Sequence, residues 1–467
     1  MPILKRKKSL SGGIVINLIA TFGLRAIGII TAPITTRLLE TSDYGSMSIF
    51  STWVVISAII LGLQAHGTFN NARVKYETKE EYHRYCWNAM MLSFFGHAAG
   101  FLLLLPWIGS LSTLIGLTPF LFCLMIAQSL LQNCVNMLST YFIIDNKPGW
   151  NMFLSGFMAV GSFGLSVLLI KLNAFPGEPY MGFIIGSFIF YAIAGVASAV
   201  WFGIKGFCKV NIKYIRYCLG LSLPLIFHGL SGVILGQSDR IMLERMIGLS
   251  EAGVYSLTYN FSNILLTIWG AINSIWVPFY FRYLKEKDYD GLKHHMRNFD
   301  VLFIVLYSGF ILLSPEVFHL MDSRYWVQMN LIPVLLAGFF FNHLYGYPAN
   351  YEFFREKTAY IAAASVLSAV LNMGLNFLLI PRYQSAGAAV ATSLSYVISW
   401  LFHAIAARYF VKDYPFNFRD DILRMIPVAG ATALFYLLQD YWLPRWILGV
   451  VIGGLLLARM IKKREIL

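Results

Sequence analysis

Charged residues are scarce in this chain. Asp, Glu, Lys and Arg make up 13% of its 467 residues, whereas a soluble globular protein averages about 25%. Apolar residues account for 58% of the chain, and the mean hydropathy is +0.64. So little charge cannot cover a surface that faces water. The composition therefore excludes an ordinary cytosolic enzyme, a disordered protein and a secreted disulfide scaffold, and it predicts an all-α polytopic membrane protein.

Cysteines and catalytic motifs are sparse as well. The five cysteines are odd in number and show no CxxC or Cys/His metal spacing, so we interpret them as buried or inert thiols. The nine histidines give no HExxH pattern, and no GxSxG or P-loop motif is present. We therefore expect no catalytic residue, no metal centre and no cofactor.

Fourteen apolar runs are long enough to cross a membrane, because a helix needs about 20 apolar residues to span the hydrocarbon core. Since the run 424–439 is short, twelve spans followed by a re-entrant tail are the alternative. The predicted spans are 12–36, 45–66, 86–108, 118–143, 151–172, 180–203, 218–243, 253–280, 299–318, 328–350, 358–380, 386–407, 424–439 and 444–461. The longest loops between them are 67–84 and 281–298.

Basic residues outnumber acidic ones by 36 to 23, which gives a formal net charge of +13. When successive spans alternate sides from an inner N-terminus, 28 of the basic residues fall on the inner side and six at outer ends. This bias follows the positive-inside rule and predicts cytoplasmic termini. The charge therefore sets the orientation of the chain and does not indicate nucleic-acid binding. The first apolar run is too long for a cleaved signal peptide, and we expect a retained helix.

The two halves of the chain resemble one another. A shift of 208 to 210 residues aligns two pairs of segments, 37–48 with 245–256 and 164–170 with 374–380. Both copies start on the inner side, so we predict two parallel six-helix lobes, residues 1–217 and 218–423, followed by two helices in 424–467. Transporters built from such repeats bind their substrate near the lobe interface and alternate access by rocking.

Arg25 lies halfway along the first predicted span. A charge at mid-membrane costs about 2.5–3.5 kcal/mol on insertion scales and normally faces a cavity or a partner. Asn17, Thr21 and Arg25 recur every four residues and share one helical face. We interpret Arg25 as an anion-binding group in a central cavity, because a guanidinium offers paired donors to phosphate. A structural ion pair with an acid is the alternative.

Asp239 and Arg240 lie in the outer third of the seventh predicted span. Both side chains could snorkel outward to the membrane surface. Asp239 could instead be a proton or cation site, or the counter-charge of an arginine. The two side chains point about 100° apart on a helix, so they cannot face one direction together.

Side-chain amides form a second set of polar residues inside the spans. Gln128, Gln132 and Asn136 recur every four residues in the fourth span, and Asn260 and Asn263 lie in the eighth. Amides bond to sugar hydroxyls, so a cavity lined by these residues would suit a sugar. Hydrogen bonding between helices is the alternative.

Several segments carry a family resemblance. They are SLPLI at 222–226, QSDRIML at 237–243, SEAGVYS at 250–256, Asn372 with Leu375–Asn376, Leu379–Pro381, Ala386–Ala389 and Thr392. In order and spacing they resemble the polysaccharide-biosynthesis transporters, the O-antigen repeat-unit flippases (Wzx type) of the multidrug/oligosaccharidyl-lipid/polysaccharide (MOP) exporter superfamily. The resemblance covers about residues 10–410.

The resemblance implies a MATE-like fold and a transporter in the bacterial inner membrane, with no enzymatic role. The implied substrate is a polyprenyl-pyrophosphate-linked oligosaccharide that moves from the cytoplasmic to the outer leaflet. Other implied partners are membrane lipid and a glycan polymerase or other assembly proteins, with no nucleic acid.

Related lipid II flippases place cavity arginines on the first helix, and Arg25 is the matching residue here. Together with Arg240, or with Arg37 and Arg245, it would attract pyrophosphate or acidic sugars. Asp239 would couple transport to H+ or Na+.

Two other functions stay open. A cation-coupled drug exporter of the same superfamily predicts acidic cavity residues, whereas the polar residues found here are mostly arginines and amides. A membrane glycan polymerase or ligase predicts a sizeable outer loop, and no predicted outer loop exceeds about 12 residues.

Overall fold

The computed structural model describes residues 30–412, 414–416 and 418–462, which form helices joined by short turns. The helices are α1 (residues 30–38), α2 (Thr41–Leu61), α3 (Phe69–Lys75), α4 (Lys79–Leu104), α5 (Ile108–Leu114), α6 (Pro119–Ile144), α7 (Pro148–Lys171), α8 (Pro179–Gly206), α9 (Ile212–Met246), α10 (Leu249–Glu286), α11 (Tyr289–His319), α12 (Ile332–Phe354), α13 (Thr358–Ile405), α14 (Phe418–Leu438) and α15 (Trp442–Lys462). No strand occurs among these residues. The predicted all-α class is confirmed.

Ten helices in the described part of the chain are long and apolar enough to cross a membrane, and the bent α10 is an eleventh. The chain is therefore a multi-pass membrane protein. α13 contains two predicted spans, 358–380 and 386–407, because its backbone leaves helical geometry at Gln384 (φ 50°, ψ −131°). Each predicted span from the second onward thus coincides with a helix. Most of the first, 12–36, lies outside the described residues.

One long helix is bent. α10 changes direction by 46° between Asn273 and Trp276. Pro278 follows the bend, and a proline ring lacks a backbone N–H and clashes with the carbonyl four residues earlier. The proline therefore accounts for the break in the helix at this position.

The two predicted long loops are largely helical, and their assignment as loops was wrong. Residues 67–84 contain α3 and the first turns of α4, while 281–298 contain the end of α10 and the start of α11. Only Lys287 and Asp288 separate those two helices, with Lys287 in the left-handed region (φ 57°). Hydropathy detects the apolar part of a helix, and these helices continue with charged residues whose side chains water can solvate.

The chain divides into two compact units, Met1–Val233 and Ile234–Leu467. In the first unit the buried core includes an aromatic cluster in which the ring centroid of Tyr141 lies about 6 Å from those of both Tyr82 and Phe202. In the second unit Phe303 and Phe339, on α11 and α12, are fully buried. The predicted lobe boundaries at 217/218 and 423/424 stay predictions.

Two glycines bring α7 and α8 into close contact in the first unit. Gly182 and Gly186 are four residues apart and lie on one face of α8. A Cβ added to Gly182 would stand 2.8 Å from Ile170 Cγ1, and one added to Gly186 would stand 2.8 Å from the backbone nitrogen of Ser166. Small residues at this spacing let helices approach closely in a membrane, where packing rather than hydrophobic burial drives association.

We predict that Gly186→Ala destabilises the protein by about 1–3 kcal/mol, because the new methyl group would overlap the backbone of Ser166 and push α7 away. The change is measured as a lower midpoint of thermal unfolding in detergent. Gly164→Ala on α7 is the matched control, since a Cβ there meets nothing within 4 Å and alanine favours the helix. Equal midpoints for the two variants would show that the close contact contributes nothing to stability.

Candidate functional site

Asp239 is a buried carboxylate on α9, and its side chain is held by three neighbours. Its Oδ2 accepts hydrogen bonds from the Tyr255 hydroxyl of α10 at 2.6 Å and from Thr392 Oγ1 of α13 at 3.4 Å. Its Oδ1 accepts from the backbone N–H of Arg240 at 2.9 Å. The residue is 1% exposed, so these donors replace the water that an ionised carboxylate would otherwise need.

The hydrogen bonds continue from Asp239 along α13. Thr392 Oγ1 accepts from the Asn372 amide at 3.4 Å. The Asn372 oxygen accepts from Ser238 Oγ at 3.2 Å and from the Asn376 amide at 3.1 Å. Segments that carry the family resemblance, far apart in sequence, thus meet in one buried polar network that joins α9 to both halves of α13.

Arg240 is buried as well, with 7% of its surface exposed. Its Nη2 donates to the Asn260 side-chain oxygen on α10 at 2.7 Å. Its guanidinium carbon lies 5.1 Å from the ring centroid of Tyr259, a cation–π distance. Snorkelling of Asp239 and Arg240 to the membrane surface does not fit this burial. The two predicted residues Arg240 and Asn260 form one contact.

The remaining predicted residues of the second unit are more exposed. Asn263 is half-buried on α10, one helical turn from Asn260. Arg245 lies near the end of α9, where its Nε is 3.1 Å from Glu244 Oε2 and its side chain is 40% exposed. The structure therefore brings Arg240, Asn260 and Asn263 into one region and leaves Arg245 in a local ion pair.

In the first unit the three predicted amides lie along α6. Gln128 is buried, while Gln132 and Asn136 are half-buried. The Gln128 Oε1 atom has no hydrogen-bond partner among the described residues. By contrast, neighbouring Asn133 donates to the Ala58 carbonyl of α2 at 2.8 Å and so joins two helices. On α6, Asn133 thus makes a helix–helix contact. Gln128, Gln132 and Asn136 form a row that points away from the helix axis in a different direction.

Of the two arginines predicted near the start of the chain, the structure describes only Arg37. Arg25 and Asn17 lie outside the described residues, and their assignment to the substrate-binding site stays a prediction. Arg37 lies at the end of α1, and its side chain is exposed.

The sequence did not reveal a buried ionic cluster in the second unit. Asp300 of α11 accepts from His343 Nε2 at 2.9 Å and from the Tyr347 hydroxyl at 2.6 Å, both from α12. The Arg424 Nε of α14 lies 2.5 Å from the other carboxylate oxygen, and Arg424 also pairs with Asp421. Asp300 is 4% exposed. The cluster therefore fastens α11, α12 and α14 together.

A pocket of about 550 Å³ borders this cluster. Lys293, Arg297 and Asp290 lie on its α11 side, and Asp420 lies on its α14 side. Basic and acidic side chains balance there, so the pocket does not single out an anion. We interpret the cluster beside it as a structural connection.

Two further ion pairs, one buried on both sides and one on one side only, were not predicted from the sequence. Arg445, counted as a charge at an outer end, is 1% exposed and pairs with Glu316 of α11. Glu352 and His403 are both buried and lie 2.9 Å apart. In the sequence, a carboxylate within or beside an apolar run indicates that such a pair is present. Its partner cannot be identified from the sequence, because it is more than 50 residues away in each case. Among the described residues, no group of three or more His, Cys, Asp or Glu side chains is placed to hold a metal ion.

We predict that Arg424→Met destabilises the protein by about 3 kcal/mol, because it leaves the Asp300 carboxylate buried without its cation. The double variant Asp300→Asn/Arg424→Met removes both charges and should recover most of the loss. Thermal unfolding of the variants in detergent measures both effects. A double variant no more stable than Arg424→Met would contradict the role of the ion pair.

Two family models match different parts of the chain. Residues 10–284 match the family model described as polysaccharide biosynthesis protein. Residues 326–456 match the model described as lipid II flippase MurJ.

Curated relatives are distant. The chain is 25% identical over 158 residues to "Lsg locus putative protein 1" of Haemophilus influenzae, covering 33% of this chain and 39% of that protein. It is 21% identical over 225 residues to "Probable low-salt glycan biosynthesis flippase Agl15" of Haloferax volcanii, covering 46% and 48%. The matches thus span less than half the length of either relative.

Solved structures share the fold over nearly their whole length. An inward-closed structure of the lipid II flippase MurJ has a TM-score of 0.62 at 15% identity, covering 97% of this chain and 99% of that one. An inward-facing multidrug-resistance MATE transporter of the MOP superfamily also has a TM-score of 0.62, at 12% identity, covering 86% and 99%. The expected MATE-like fold is confirmed.

Proposed function

Because the chain belongs to the polysaccharide biosynthesis protein family, we propose that it flips a polyprenyl-pyrophosphate-linked oligosaccharide by alternating access. The cargo would be an O-antigen, capsule or exopolysaccharide repeat unit that moves from the cytoplasmic to the outer leaflet. The families that match are transporters and flippases, not catalytic enzymes. We further propose a bacterial inner membrane with both termini in the cytoplasm, from the bias of basic residues.

The observation that carries the proposal is the placement of Arg240. A guanidinium is expensive inside an apolar span and marks a functional site when it is retained there. This one is oriented by the neutral amide of Asn260 at 2.7 Å and by the ring of Tyr259. Arginine presents a planar fork of donors that matches phosphate oxygens in pairs. We propose that Arg240, together with Arg25 from the first span, attracts the pyrophosphate.

Amides would hold the sugars. Asn260 is exposed and Asn263 is half-buried on α10, while Gln132 and Asn136 are half-buried on α6. An amide both donates and accepts, so it can bond to a hydroxyl in either direction. Gln128 supports this role, because its side-chain oxygen lacks a partner among the described residues and a buried acceptor without one is costly.

Arg37 and Arg245 would add positive charge near the outer ends of their helices. Both side chains are exposed, so they would attract acidic sugars or phosphate at longer range without fixing their orientation. Arg245 is 3.1 Å from Glu244, which reduces its field. We therefore assign these two arginines a weaker part than Arg240.

Asp239 is the proposed coupling group for H+ or Na+. Its three hydrogen-bond donors come from α9, α10 and α13. A change in its charge would therefore alter contacts among three helices at once. Such a carboxylate can link ion binding to a change in helix packing.

A cation-coupled multidrug exporter is the second candidate. The fold shared with a MATE transporter favours it, as does the buried carboxylate of Asp239. A cationic drug would be repelled by a binding site built around arginine. We therefore prefer the anionic lipid-linked substrate.

The test uses a host strain from which the gene has been deleted and complemented with variants. We expect Arg25→Ala and Arg240→Ala to lower surface polysaccharide roughly tenfold or more, because each removes a charge-assisted contact to the pyrophosphate. Lipid-linked repeat units should accumulate inside. Arg240→Lys should retain part of the activity, since it keeps the charge and loses the paired donors.

Asp239→Asn should export at a rate that no longer responds to an imposed ion gradient.

The matched control is Arg216→Ala, an exposed arginine on α9 with no assigned role. Its export should equal that of the unchanged chain. Each variant is also quantified in the membrane and in thermal unfolding, so that loss of transport is separated from loss of folding. Normal export by well-folded Arg25→Ala and Arg240→Ala would contradict the proposal, and restored drug resistance without polysaccharide export would favour the second candidate.

A further inference from the structure

A pocket of about 600 Å³ lies in the first unit among α6, α7 and α8. Its lining changes in chemical character from one end to the other. Aromatic and aliphatic side chains line most of its length, and two lysines line one end. None of these residues belongs to the transport site proposed above.

The apolar part of the pocket is open to the surrounding lipid. Trp150, Phe153 and Phe157 follow one face of α7, and Ile193 and Ala197 lie opposite on α8. Phe153 is 64% exposed and Ile193 is 51% exposed. Ser166 is the one fully buried residue of α7, so hydrocarbon is the natural contact of this face.

The packing of α7 and α8 explains why the pocket forms at one end. Near the start of α8, Gly182 and Gly186 bring that helix against α7. Further along, the Phe190 ring of α8 lies against Gly161 of α7 and packs beside Phe157, with ring centroids 5.0 Å apart. Beyond Phe190, the α8 side chains that line the pocket include the small Ala194 and Ala197. The bulky rings hold the two helices apart, and the small side chains that follow do not fill the space, so a groove remains between α7 and α8.

The charged end of the pocket is formed by Lys147 and Lys205. Lys147 directly precedes α7 and Lys205 lies in the last turn of α8, so the two antiparallel helices place both lysines at the same end. Lys147 pairs with Asp145 at 2.7 Å and keeps 44% of its side chain exposed. Lys205 is also exposed. With one acid for two bases, this end is net positive.

Two tryptophans mark the depth of the pocket in the membrane. Trp150 and Trp201 both line it and lie within one turn of Lys147 and Lys205, respectively. Tryptophan concentrates at the boundary between headgroups and acyl chains. The order along the pocket is therefore lysine, tryptophan and then purely apolar residues, which is the order of headgroup, interface and chain in a lipid.

We propose that this pocket is a binding site for an anionic phospholipid. Its phosphate lies between Lys147 and Lys205, and one acyl chain follows the groove past Trp150, Phe153 and Phe157. Basic pockets between helices at the cytoplasmic face bind acidic headgroups in this manner, and this end of α7 and α8 is the one that the distribution of charge predicts to be cytoplasmic. The site faces lipid rather than the protein interior, which favours a membrane lipid over the transported prenyl chain. The proposal does not depend on the identity of the cargo.

The test titrates the full chain, purified in a mild detergent, with dioleoylphosphatidylglycerol or dioleoylphosphatidylcholine, and native mass spectrometry counts the retained lipid. The acyl chains are identical, so a preference for phosphatidylglycerol reports the headgroup. We expect Lys147→Gln/Lys205→Gln to weaken phosphatidylglycerol binding roughly 30-fold, because each lysine near the membrane contributes comparably to the attraction. Ala197→Trp fills the groove and should lower retention of both lipids.

Lys209→Gln/Lys213→Gln is the matched control. It removes the same charge from the adjoining stretch of chain, where both lysines are exposed and neither lines the pocket, and it should bind phosphatidylglycerol like the unchanged chain. If the pocket double variant does not fold, Lys205→Gln alone should show a loss of roughly fivefold. Equal binding of the two lipids, undiminished binding by the pocket variants, or displacement of phosphatidylglycerol by a lower concentration of polyprenyl phosphate would each overturn the proposal.

Discussion

In hydrocarbon, a polar group that loses water must find a partner within the protein, and this requirement governs the rest of the structure. Asp239 meets it through Tyr255, Thr392 and the backbone of Arg240. Asp300 meets it through His343, Tyr347 and Arg424. Each carboxylate thereby fixes three helices relative to one another. Buried polar groups thus specify the packing of helices whose apolar surfaces alone would fit many arrangements.

Much of the fold could be predicted from the sequence, because hydropathy directly reports the length of an apolar run. The spans and the break in α13 near Gln384 follow from such runs and the polar residues between them. The ends of the helices could not be predicted, since α10 and α11 continue into charged segments that water solvates. Repeat-based lobe boundaries and the role of Arg25 rest on sequence alone.

The candidate site was predictable only in part, for a physical reason. A charged residue within a span, such as Arg240, is visible in the sequence, and so is a row of amides at helical spacing. A pair such as Asp300 and Arg424 is not, because its members are 124 residues apart and each lies at the edge of an apolar run. Arg424 and Arg445 look like loop charges that only orient the chain, whereas packing buries Arg445 and pairs both with carboxylates. Charge thus has two uses in this interpretation: we propose that most basic residues set the orientation and that Arg240 binds substrate, while Arg424 and Arg445 pair with carboxylates of neighbouring helices.

We propose that this chain moves a lipid-linked oligosaccharide across a membrane. The most direct measurement reconstitutes the purified protein into liposomes that carry the lipid-linked oligosaccharide in both leaflets, and then adds a glycosidase that cannot cross the membrane. We expect the inner-leaflet share, which is protected in protein-free liposomes, to become fully digestible when the protein is present. If that share stays protected while the folded protein instead accumulates a cationic drug, the chain is not a flippase of lipid-linked oligosaccharides.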